Sequence, residues 1–176
     1  MSNVPGPASK LFEDHHLGRR RGALHWWLVV PLAYALSAFC AVAALSIVLT
    51  VLRRASMIPP PGPGLPEGYR ANALDALLLS PLVETLLVAM VLKAFLVARH
   101  VRFWRAGFIV TIGAMSWWAH GASTGALYPA VGFAVFADCL MRGWTATPPK
   151  KVEAIWAATA AHALLNVPHV VRYWPW

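Results

Sequence analysis

Five apolar stretches, separated by short clusters of arginine, lysine, proline and small residues, make up most of this chain of 176 residues. They run from about Leu24 to Leu52, Ala73 to Ala98, Ala106 to His120, Ala126 to Met141 and Val152 to Val171. A helix crosses a hydrocarbon core about 30 Å thick with roughly 20 apolar residues. The third stretch is short by that measure. The chain is 59% hydrophobic and only 12% charged, where soluble domains carry about a quarter charged residues. The expectation is an all-α, polytopic integral-membrane helical bundle with five transmembrane helices. Residues 1–23 form a polar basic tail, residues 24–171 the membrane domain, and residues 172–176 an aromatic tail.

The basic stretch Arg19-Arg20-Arg21 ahead of an apolar run has the outline of a signal peptide. The run that follows is far longer than the 7–15 residues of such a peptide's apolar region, so it reads as a retained transmembrane helix. Trp26 and Trp27 then sit at the headgroup level. The segment from Ile58 to Pro66 is too rich in proline and glycine to be helical, and reads as an extended linker outside the bilayer.

A net charge of +8 raises nucleic acid as a partner, but the basic residues cluster between apolar spans and no nucleic-acid-binding pattern accompanies them. The charge reads as membrane topology. With the N-terminus inside, the inner side holds Lys10, Arg19, Arg20, Arg21, Arg99, Arg102, Arg105, Arg142, Lys150 and Lys151. The outer side holds Arg53, Arg54, Arg70 and Arg172. A bacterial inner membrane, with the bilayer as partner, fits this asymmetry. The two cysteines, Cys40 and Cys139, fall in different spans and read as small buried hydrophobes.

Within the apolar stretches a few polar residues stand out. Ionisable groups inside a membrane are expensive and mark functional sites by default. Glu84 lies in the second stretch, His120 ends the third, and His162 and Asn166 lie four apart in the fifth, on one helix face. At about 1.5 Å per residue, Glu84 lies roughly 16 Å from the start of its span and His162 roughly 14 Å from the opposite side. These levels nearly coincide near the bilayer midplane. His120, roughly 22 Å along its helix, sits closer to the outer face.

One carboxylate, two imidazoles and one carboxamide are the parts of a hydrolytic site. Glu84 can take a proton from water and hand it to a leaving amine, and His120 can hold that water. His162 and the Asn166 amide can donate to the developing oxyanion. The same residues Glu84, His120 and His162 can instead ligate a divalent metal such as zinc, leaving a position for water. Each also has a plainer role: Glu84 in proton transfer or packing, His120 at the interface beside Trp117 and Trp118, and His162 with Asn166 as interhelical hydrogen bonds. Asp138, one turn from Arg142, reads as an inner-interface carboxylate.

The order of these residues resembles the CPBP family of intramembrane proteases (CAAX prenyl endopeptidases and bacteriocin-processing, or Abi, proteins). That family carries EExxxR, FxxxH and HxxxN motifs on successive helices. His162-Ala163-Leu164-Leu165-Asn166 matches the last motif and His120 the histidine of the middle one, with Ser116 at the aromatic position. Glu84 matches the first, catalytic glutamate; Thr85 and Ala89 replace the second glutamate and the arginine. The resemblance covers residues 79–166. It implies an intramembrane endopeptidase acting on a membrane-associated peptide or protein, with Glu84 as base and acid, His120 on the water, and His162 with Asn166 at the oxyanion. Two other readings stand beside it. One is a non-catalytic protein of the same fold with an immunity, partner-binding or chaperone role, which the loss of the Glu–Arg pair favours. The other is a small proton-coupled carrier.

Overall fold

Proline shapes the start of two helices. Helix α1 (His25–Arg54) and helix α2 (Asp75–Val97) each open with five residues wound as a π-helix, His25–Val29 and Asp75–Leu79. Both tighten to α-helix just before a proline, Pro31 and Pro81. A proline inside a helix has no N–H to give and its ring crowds the carbonyl one turn back. A wider turn relieves that crowding. Helices α3 (Trp104–Ala119), α4 (Leu127–Thr145) and α5 (Lys151–Tyr173) follow. The computed structural model describes residues 25–58 and 72–173. The basic tail expected at 1–23, nearly all of the proline-rich linker and most of the aromatic tail lie outside the described residues.

Five helices stand where five apolar stretches lie, and among the described residues there is no strand. Three of them, α1, α2 and α5, are long and apolar enough to cross a membrane. Helix α3, with 16 residues, rises about 24 Å at 1.5 Å per residue, short of a full hydrocarbon core.

Contacts between side chains fix an alternating up-and-down order. Phe95 near the end of α2 meets Phe108 near the start of α3, with ring centroids 5.6 Å apart. His120 just past α3 lies 6.1 Å from Phe133 early in α4. Trp27 and Trp156, near the starts of α1 and α5, lie 5.3 Å apart. Helices α1, α3 and α5 therefore run one way, and α2 and α4 the other.

Small residues line the seams. Ala154, Ala157, Ala158 and Ala161 on α5 are fully buried, at the spacing of one helix face. Gly143 of α4 comes so close to Ala154 that an added Cβ would overlap its methyl group. Such residues let helix backbones approach closely. Leu92, Phe108 and Leu140 fill the remaining core. Large apolar side chains face outward instead: Leu36, Ile47, Leu86, Met90, Val110 and Trp118 are all exposed.

Two expectations change. Helix α4 does not stop near Met141 but continues through Arg142 to Thr145. The Arg142 guanidinium turns back to Asp138 at 2.7 Å, so the charge is held one turn down while Gly143 and Trp144 stay buried. Cys40 is exposed on α1 rather than buried; Cys139 is in the core, and both are free thiols. Asp138 also accepts from the Tyr34 hydroxyl at 2.9 Å, which ties α1 to α4.

Candidate active site

Glu84 owes its place to the pattern of α2. Pro81, Thr85, Val88, Ala89 and Leu92 form the buried stripe of that helix, and Glu84 falls on its flank. One turn earlier Ser80 donates to Glu84 Oε1 at 2.8 Å, as residues four apart on a helix can. The second carboxylate oxygen, Oε2, lies 3.6 Å from Nε2 of His162. That is longer than a hydrogen bond, and two polar atoms so spaced can share one water at about 2.8 Å from each. The Glu84 side chain is 30% exposed.

His162 continues the alanine seam of α5 and is buried there. Two rings of α4 hold it: Phe136 stacks on the imidazole with centroids 5.1 Å apart, and Phe133 meets it edge-on at 4.9 Å. The sleeve fixes the ring plane with Nε2 toward Glu84. Phe133 also reaches His120.

His120 sits where α3 ends. Gly121 takes the left-handed conformation, with φ of 89°, which a glycine adopts without the steric cost of a Cβ. Its N–H donates to the Trp118 carbonyl and the next N–H, of Ala122, to that of Trp117, the double closure of a Schellman motif. His120 is thereby held as the capping residue. Its Nδ1 lies 2.8 Å from the Ser116 carbonyl. The Ser116 hydroxyl lies 3.4 Å from the same nitrogen; in the tautomer that donates to the carbonyl, Nδ1 carries the proton and Nε2 keeps its lone pair.

These groups border one cavity of about 140 Å³, lined by Ser80, Glu84, His120, Phe133, His162 and Asn166 among others. Glu84, His120 and Phe133 also border a second cavity of about 160 Å³ between α2 and α3, whose other walls include Leu87, Val91, Ile112 and Met115. His120, placed higher than Glu84 and His162 by its distance along α3, shares their cavity. Asn166 lines it too, but its amide Nδ2 donates to the carbonyl of Ala76 on α2 at 2.8 Å. Among the described residues no three His, Cys, Asp or Glu side chains gather closely enough to hold a metal ion.

The sequence singled out Glu84, His120, His162 and Asn166, and all four line this cavity. It did not single out Ser80, Phe133 or Phe136. Ser80 had a signal, since it stands four residues before Glu84; the two phenylalanines look like any other apolar residues of α4. No family model, curated protein or solved structure matches the chain.

Proposed function

We propose that this chain is an integral-membrane endopeptidase of the CPBP type, seated in a bacterial inner membrane with its N-terminus inside. Its substrate is a peptide bond in a membrane-associated peptide or protein. One observation carries the reading: Glu84 of α2 and His162 of α5 face each other at 3.6 Å across a cavity that His120 also borders. The outward display of large apolar side chains and three helices of membrane-crossing length support the location.

The Glu84 carboxylate takes a proton from a water that His120 Nε2 helps to hold. The water oxygen attacks the carbonyl carbon, and an imidazole N–H of His162 donates to the oxygen that gains charge. Glu84 then gives the proton to the amide nitrogen as the C–N bond breaks. In the metal alternative, Glu84, His120 and His162 would hold a zinc ion that would polarise the water in place of the free carboxylate.

The test is cleavage of a membrane-tethered peptide library by the purified protein in detergent, with Glu84→Ala and His162→Ala as controls and with and without a chelator. Products that vanish in both variants and persist with the chelator support this mechanism. Products lost on chelation favour the metal route. Folded protein that yields no products overturns the peptidase reading.

A second reading, a non-catalytic partner-binding protein of the same fold, draws on Thr85 and Ala89. Both are buried, where the resembling family has a charged pair. Unchanged cellular function in a Glu84→Ala strain would select it.

A further inference from the structure

The bond from Asn166 to Ala76 has a specific geometric origin. Where the π-wound start of α2 ends, the Ser80 N–H reaches back five residues to the Asp75 carbonyl. The next N–H in that register would belong to residue 81 and would reach Ala76. Residue 81 is proline and has no N–H, so the Ala76 carbonyl is left without its helical donor. Asn166 Nδ2 takes the vacant place at 2.8 Å. At the start of α1 a side chain of α5 also binds a backbone carbonyl, the Trp156 indole donating to the Trp27 carbonyl at 3.0 Å.

We propose that Asn166 is a positioning residue, clamping the proline-widened turn of α2 so that Glu84 faces His162, and that it does not act on the reacting atoms. Asn166 holds the turn that ends at Ser80, and Ser80 in turn binds Glu84 Oε1. Loosening Ala76 therefore shifts the carboxylate through two short links. The functional part of this inference rests on the peptidase reading; the clamp itself does not.

The clamp makes one prediction that an oxyanion donor cannot share: restoring the missing N–H should replace the amide. The experiment uses the full chain in detergent and compares wild type, Asn166→Ala, Pro81→Ala and the double variant. The readouts are thermal midpoint, hydrogen exchange of residues 72–90, and peptide cleavage. Asn166→Ala is expected to lower the midpoint by several degrees, as expected of a small domain losing one buried partner. It should also speed exchange about tenfold and cut cleavage by a similar factor, the size expected when a buried carbonyl loses its partner. Pro81→Ala alone should stay near wild type. The double variant should return all three readouts close to wild type. If exchange and midpoint stay impaired in the double variant, the clamp is wrong. If they recover but cleavage does not, Asn166 acts on the reacting atoms and the positioning role is overturned. If wild type cleaves nothing, the peptidase reading fails, while recovery of exchange still upholds the clamp and its absence still refutes it.

Discussion

Phe136 stacks on His162 with the two rings inclined by only 25°, and this contact decides where Nε2 lies relative to Glu84. The imidazole has no freedom to turn while that phenylalanine and Phe133 enclose it. Phe136→Ala is expected to destabilise the chain by about 3–5 kcal/mol, as aromatic truncations in packed interiors do. Phe136→Leu keeps most of the volume and loses the flat face. It should leave the protein folded with cleavage reduced about tenfold or more, the scale of a misplaced reacting group. Circular dichroism and cleavage rates measured together check both.

Ser80 is a quieter contributor. Removing its hydroxyl leaves Glu84 Oε1 without its 2.8 Å donor. Ser80→Ala should cost about 1 kcal/mol of stability or less, since side-chain pairs four apart on one helix contribute roughly 0.2–0.5 kcal/mol. Its larger effect should fall on turnover rather than on substrate binding, which separate kcat and KM measurements will show.

Two glycines give opposite forecasts for the same change. At Gly143 an added methyl would overlap Ala154 and lie 3.0 Å from the Lys150 carbonyl. Gly143→Ala should therefore lower stability by about 1–3 kcal/mol, the cost of overpacking. At Gly107 the new Cβ meets Phe95 at 3.6 Å, an ordinary contact. Gly107→Ala should be neutral or stabilising by up to about 1 kcal/mol, since alanine is the better helix former. Thermal denaturation of the two variants side by side tests the pair.

Tyr34 and Arg142 both bind Asp138 through Oδ2. Tyr34→Phe removes a link between α1 and α4 and should cost about 1 kcal/mol. Arg142→Ala should cost less, because the exposed arginine pairs with a residue one turn away on the same helix and such pairs contribute about 0.3–0.5 kcal/mol. Unfolding in mild denaturant distinguishes these sizes.

The helices were legible because apolar length is a strong signal: the stretch from Val152 to Val171 became Lys151–Tyr173 almost residue for residue. The four polar residues of the cavity were legible because each is rare in its surroundings. What surrounds them was not. Phe133 and Phe136 act through their orientation, and no one-dimensional pattern separates a phenylalanine that stacks on an imidazole from one that fills space. The role of Asn166 was hidden for a different reason. Its partner is a backbone carbonyl, set free by a proline on another helix, and side-chain spacing carries no trace of that bond. The continuation of α4 past Arg142 was missed because the charge looked like a terminus until Asp138 was seen to hold it.

The alanine seam of α5 reverses the usual sense of a conservative change. Along Ala154, Ala157, Ala158 and Ala161, exchanging one aliphatic residue for a larger one wedges two backbones apart. On the outward face of α1, swapping Leu36 for another large aliphatic alters little that the fold depends on. Chains that share this architecture can therefore drift freely at their bulkiest positions while being held at their smallest. Their kinship would be written in alanines and glycines, the residues that carry the least distinctive chemistry.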